Sequence, residues 1–200
     1  KRFPNREINS QIELTNIRKE DLFYLHSMRS QVEEEIEEIV GKFYDNLSKE
    51  STLVQIIKEK SSVERLKKTL ERHLIKMFDG KLDEDYIEER IKIAKIHVKI
   101  GLESKWYLGA FQSLFESFSE IAEKLSTNPE EAKKRTIAIH KITLLEQQLV
   151  LSAYELESKR IDDVKKSKNE EISSKIVEQN NTLLAMMEEY KSSVEELKDK

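Results

Sequence analysis

Apolar residues recur at intervals of three and four from about Lys19, at Leu22, Leu25, Met28, Val32, Ile36, Ile39, Val40, Phe43 and Leu47. This spacing predicts one stripe of a long amphipathic helix. The glutamates at 33–35 fall mostly outside the stripe and read as solvated surface. Gly41 lies within the pattern, as a point of close helix packing or a break. Ser51 or Thr52 is placed to cap a short segment through Ile57. Ser61 or Ser62 is placed to cap the next helix, with Val63, Leu66, Leu70, Leu74 and Met77 on its buried side. Asp79-Gly80 ends that helix. Another opens near Asp83, carries Ile93, Ala94, His97 and Ile100 on an apolar face, and closes at Gly101. A further helix from about Ser104 to Leu125 turns Leu108, Phe111, Leu114, Phe115, Phe118 and Ile121 inward. Thr127-Asn128-Pro129 is the clearest breaker, and proline suits the first position of a new helix. That helix carries Ile137, Ile139, Ile142, Leu145, Leu149 and Tyr154, with no stop signal before the charged stretch 157–171.

The two ends read differently. Residues 1–16 are polar, without a sustained period, and are expected to form an extension draped over the core. From about Ser158 apolar residues thin out, then return at Ile176, Leu183, Met187, Tyr190, Val194 and Leu197. Ile176, Leu183, Tyr190 and Leu197 fit d positions of a heptad, with Asn180, Met187 and Val194 at a. An asparagine at a sets register in parallel coiled coils. A surface helix or a frayed tail is the alternative. The pattern stops without a cap, which suggests truncation before an output domain. The organisation expected is therefore an extension at 1–16, a core domain at 17–157 and a signalling helix or coiled-coil linker at 158–200.

Composition narrows the class. The 200 residues are 38% hydrophobic and 37% charged, with two prolines and four glycines. A chain so poor in breakers and so rich in Glu, Lys, Leu and Ile reads as all-α. Net charge is −4 and no basic block interleaves with aromatics, so nucleic acid is not an expected partner. The absence of cysteine excludes disulfides, thiolate metal sites and cysteine nucleophiles. No apolar run approaches the roughly twenty residues that span a bilayer, and a cytoplasmic location is expected. Carboxylates fall on faces that read as solvated. No Ser/His/Asp arrangement or glycine-rich phosphate loop appears, so catalysis is not expected.

His97 carries the most chemistry. An imidazole on an apolar helix face suits an axial ligand of haem iron, and it equally suits a core histidine satisfied by a backbone carbonyl. His73 shares an apolar face with Leu66 and Leu70 and reads as a core or rim histidine, the alternative being that it reaches the other side of such a haem. His26 and His140 lack a second ligand one turn away and read as packing or surface residues. Lys60 and Arg90 are cations that could meet carboxylates.

The block His97-Val98-Lys99-Ile100-Gly101-Leu102, followed by Lys105-Trp106-Tyr107-Leu108-Gly109-Ala110-Phe111, resembles the proximal region of the globin-coupled sensors, most closely the haem-based aerotactic transducers of bacilli. Lys42-Phe43-Tyr44-Asp45, Met77-Phe78-Asp79-Gly80 and Tyr86-Ile87-Glu88-Glu89-Arg90 extend the resemblance over about Leu14 to Leu156. It implies a globin-like haem sensor fold holding haem b, with His97 as the proximal iron ligand. It further implies Tyr44, Leu66 and Thr69 on the gas-binding side and Trp106 and Tyr107 beside the haem. The implied function is sensing of dioxygen, or of carbon monoxide or nitric oxide, coupled to an output such as chemotaxis. Alternatives are a non-haem globin-fold module of a stress-response complex and a structural helical dimerisation protein. A homodimer is expected through the helices near 104–125 and 130–156. Ile142, Leu145, Leu149 and Leu156 lie on one side of the latter, and Leu144 and Leu151 widen its apolar surface.

Overall fold

A computed structural model of the chain describes residue 3 and residues 6–198, apart from the side chains of residues 60 and 195–198. Helices and their connecting turns account for these residues, with no strand among them. The chain divides into two compact units, residues 1–155 and 156–200.

The first unit opens on a helix within the expected extension, where the sequence showed no sustained period: α1 spans Arg6–Thr15. Ile8 and Ile12, one turn apart, pack against the core, and Gln11 Nε2 donates to Ser152 Oγ at 2.6 Å. Two apolar residues make too short a stripe to register as a period. Helix α2, Lys19–Leu47, buries Leu25, Met28, Val32, Ile36, Ile39 and Val40, as its stripe requires. Its first turn is fixed by Asp21, whose carboxylate accepts the Arg18 N–H at 2.7 Å and also pairs with Lys141 at 2.8 Å. Gly41 is neither a break nor a close contact. The helix runs through it, and a Cβ there would meet nothing within 4 Å.

Helix α3, Ser51–Lys60, is capped by Glu50 rather than by Ser51 or Thr52, the Glu50 carboxylate accepting from the Thr52 N–H at 3.1 Å. Ser62 caps α4, Val63–Met77, where Leu74 and Met77 are buried and Leu66 and Leu70 half-buried. Val63, expected inside, is exposed in the first turn. Gly80 follows with φ +69°, tight against α2. Asp83 accepts the Tyr86 N–H at 2.9 Å and opens α5, Glu84–Lys99. Helix α6, Ser104–Lys124, buries Phe111, Leu114, Phe118 and Ile121. Phe118 meets Phe78 edge to face, with ring centroids 4.8 Å apart.

Helix α7, Pro129–Lys198, contributes to both units. In the first unit Ile139, Ile142, Leu145, Leu149 and Tyr154 are buried in the chain's own core, while Ile137 is exposed. Ile142, Leu145 and Leu149 therefore cannot supply a dimer surface. Ile137 and the half-buried Leu144 and Leu151 recur every seven residues on another side. Helix α2 is the hub of the first unit, packing against α4 and α6.

In the second unit, residues 156–198 are helical. Ile176, Leu183, Met187 and Tyr190 are all exposed, and the Leu197 side chain lies outside the described residues.

Candidate functional site

A cavity of about 400 Å³ opens between α2, α3, α4, α5 and α6. Phe43, Tyr44 and Leu47 come from α2, while α3 contributes Leu53, Ile56 and Ile57. Leu66, Thr69, Leu70 and His73 belong to α4, Ile93, Ile96 and His97 to α5, and Trp106, Tyr107 and Phe111 to α6. The walls are mostly aliphatic and aromatic, with a few polar atoms, the usual make-up of a small-molecule site. All six residues singled out in the sequence, His97, Tyr44, Leu66, Thr69, Trp106 and Tyr107, lie on this one lining.

His97 sits in the last turn of α5, and the way that helix ends fixes its backbone. The Leu102 N–H donates to the His97 carbonyl at 3.0 Å and the Gly101 N–H to the Val98 carbonyl at 3.0 Å. Gly101 adopts φ +79°, so the two bonds form a Schellman closure, which favours glycine at this position. The His97 ring lies 5.3 Å from the Tyr107 ring, and its Nδ1 is buried without a hydrogen-bond partner. A helix C-terminus favours a protonated imidazole. Burial outweighs it and, with His73 nearby, lowers the pKa to about 4. At neutral pH the ring is uncharged and has a lone pair to give. The backbone-satisfied core histidine weighed from sequence does not fit this unpaired nitrogen.

Tyr44 and Thr69 both carry hydroxyls on the lining, yet they differ in availability. Thr69 Oγ1 donates to the Arg65 carbonyl at 3.0 Å, one turn back on its own helix. Burial pushes the Tyr44 phenol up to about 12, so it keeps its proton and can donate. Trp106 Nε1 is a buried donor without a partner. Tyr107 meets two tilted rings, 5.2 Å from that of Phe111 and 6.4 Å from that of Tyr154 on α7.

The remaining histidines and cations fall out as follows. His26 is exposed and abuts Gly80, and His140 is exposed with its ring 6.0 Å from Phe115. The Lys60 side chain lies outside the described residues. Arg90 is away from any solvated rim: it is fully buried and its Nε pairs with Glu146 at 2.6 Å. Among the described lining residues the arginine is Arg65, on α4.

Arg90 and Glu146 belong to a buried cluster that sequence reasoning missed by assigning the carboxylates to solvated faces. Glu146 Oε1 accepts from Arg90 and from the Tyr86 hydroxyl, while Oε2 lies 3.3 Å from His73 Nε2. The Arg90 guanidinium also stacks on the Tyr86 ring at 3.6 Å. Burial by itself would raise the Glu146 pKa, but His73, Arg90 and the hydrogen bonds outweigh it and hold the carboxyl at about 2. A signal was present: Glu146 lies within the Ile142–Leu145–Leu149 stripe and Arg90 within Tyr86–Ile87–Ala94. Opposite charges on two apolar stripes call for each other.

Comparison with known proteins places this geometry. The chain is 26% identical over 158 residues to the heme-based aerotactic transducer HemAT of Halobacterium salinarum (strain ATCC 700922 / JCM 11081 / NRC-1). The match takes in 74% of this chain and 32% of that protein, so the chain spans about a third of its relative's length. The globin domain of the Geobacter sulfurreducens globin-coupled sensor superimposes with a TM-score of 0.69 at 25% identity, over 73% of this chain and 96% of that domain. The architecture is thus the globin-like sensor fold. The Protoglobin family matches residues 5–160, which takes in α1, the cavity and the whole buried cluster around Glu146. The chain belongs to the Protoglobin family.

Proposed function

We propose that this chain is the gas-sensing part of a haem-based signal transducer, which binds dioxygen reversibly and passes the change to an output. The observation that carries the reading is His97: a neutral imidazole with a buried, unpartnered nitrogen on the wall of an apolar cavity. The lining fits haem b. It offers the His97 imidazole as a nitrogen ligand, aromatic and aliphatic walls for a flat apolar ring system, and Arg65 as a cation for carboxylates. Bound there, haem supplies the iron at which a diatomic gas is taken up and released.

The chain's own groups would do the rest. His97 holds the cofactor from a backbone already fixed by the closure at Gly101. Tyr44 is the hydroxyl free to donate to a polarised gas molecule, since Thr69 spends its proton on the Arg65 carbonyl. Leu66 keeps water out, and Trp106 and Tyr107 pack beside the ligand-bearing helix. The role is binding and signalling rather than turnover, with dioxygen the expected ligand and carbon monoxide and nitric oxide its analogues.

The proposed assembly is a homodimer that feeds a downstream output module. Its support is the seven-residue recurrence of Ile137, Leu144 and Leu151, and separately the exposed heptad of Ile176, Leu183, Met187 and Tyr190. No helix among the described residues is long and apolar enough to cross a membrane.

Absorption spectra of the chain after loading with haem test the reading, beside His97→Ala. The expected result is a strong Soret band in the parent chain that shifts with oxygen in the ferrous state, and its loss or marked weakening in the variant. A parent chain that takes up no haem, or a variant with unchanged spectrum and retention, overturns it.

A further inference from the structure

Among the described residues, a polar contact joins the cavity lining to α7. His73 lies on the cavity lining from α4, its side chain nine-tenths buried, with Nε2 3.3 Å from Glu146 Oε2. Its other ring nitrogen, Nδ1, is buried and has no partner. Glu146 is wholly buried on α7 and cannot swing away, because Arg90 at 2.6 Å and the Tyr86 hydroxyl hold its second oxygen. The carboxylate therefore stands at the meeting point of α4, α5 and α7. Its anchored side, toward Arg90 and Tyr86, is saturated. Its other side, toward His73, is longer and ends at the cavity.

We propose that Glu146 is a positioning residue for sensing: it holds His73 at the cavity wall, and this contact carries a change in cavity occupancy to α7. The inference rests on the haem-based reading above. The physical basis is the asymmetry of the cluster. A displaced His73 ring can break or remake a contact at 3.3 Å, whereas the Arg90–Glu146–Tyr86 side stays locked and moves as part of the α5–α7 packing. The aromatic contact from His97 through Tyr107 to Tyr154 also reaches α7, but it is made of rings at 5.3 Å and 6.4 Å. Such contacts slide, while a close imidazole–carboxylate contact is either made or broken.

Hydrogen–deuterium exchange of the haem-loaded, ferrous full chain tests this, with and without saturating carbon monoxide so that altered affinity does not enter. Backbone amides of residues 140–155 are the readout, amides of α2 the internal control, and the Soret band the measure of loading. The variants are His73→Phe, which leaves Arg90–Glu146–Tyr86 in place, and His73→Gln, whose amide restores a polar group facing the carboxylate. The expected result is a gas-dependent change of threefold or more in exchange at 140–155 in the parent chain. In His73→Phe it should fall to less than a third of that, and in His73→Gln at least half should return. A His73→Phe chain with the full gas response overturns the proposal. So does a parent chain with none, or a His73→Gln chain no better than the phenylalanine variant. A parent chain without a Soret band fails at the earlier step, and loses the haem reading and this coupling together.

Discussion

Arg90 and Glu146 are charged residues in positions that helical periodicity reserves for apolar ones, and both are fully buried. A carboxylate so placed is tolerable only while its partners remain. Arg90→Met should therefore cost about 3–5 kcal/mol of stability, read as a lower urea midpoint. The same pairing sets the acid limit. The folded pKa of Glu146 is lowered to about 2, so its contribution is complete above the unfolded value near 4.5 and is lost as pH falls towards 2. Denaturation midpoints at pH 6, 4 and 3 should fall progressively, and less steeply in Glu146→Gln. At the cavity, Tyr44→Phe keeps the ring and removes the donor. A hydrogen bond to a partly charged acceptor is worth about 1.5–3 kcal/mol, so oxygen should dissociate about ten- to a hundredfold faster in stopped-flow traces. Thr69→Val should change that rate less, its hydroxyl being committed to Arg65. His97, Trp106 and Tyr107 were legible because their block is local in sequence, whereas Tyr44, Leu66 and Thr69 came through the family resemblance alone. Glu146 showed itself only as a charge within an apolar stripe, and its partners were not legible because only the fold brings it to within bonding distance of residues 56 and 60 positions away.

Helix ends, rather than helix middles, decide what each glycine contributes. Gly41 lies inside α2 with open space where a Cβ would stand. Gly41→Ala should stabilise the chain by about 0.5–1 kcal/mol through lower backbone entropy in the unfolded state. Gly80 is the opposite case. Its φ is +69°, and a Cβ would come within 2.8 Å of both His26 Cβ and the Leu22 carbonyl oxygen. Gly80→Ala should destabilise by at least about 1–2 kcal/mol from the left-handed backbone alone. Urea titrations of the two variants should thus move in opposite directions. Most elements follow from the sequence because stripe and cap agree, as at Ser62 and Asp83. The exceptions are instructive: α1 shows only Ile8 and Ile12 to announce it, and the Glu50 cap works through a longer side chain than the Ser or Thr that capping patterns favour.

At the level of the whole molecule, the apolar positions of α7 sort into two sets that a helical pattern alone could not separate. Ile142, Leu145 and Leu149 are consumed by the core of the first unit, whereas Ile137, Leu144 and Leu151 are left wholly or partly uncovered. Periodicity shows that a face is apolar, but burial alone shows which face the chain itself covers. Sedimentation of residues 1–157 and of the full chain, both haem-loaded at low micromolar concentration, separates the contributions of the two sets. Dimers in both are expected, with Leu144→Glu plus Leu151→Glu giving monomers in the shorter chain. Monomers in both parent chains would exclude the assembly.

Trp106, the chain's single tryptophan, lies on the cavity lining with its indole nitrogen buried, and Lys105 Nζ sits 5.1 Å from its ring. Emission excited at the red edge of the aromatic band, where the six tyrosines hardly absorb, is consequently a local signal with one source. A strongly coloured occupant of the cavity would quench it by energy transfer, while an occupant without visible absorption would shift its wavelength by changing polarity. Uptake and release can therefore be followed optically in real time, without attaching a dye or altering a residue.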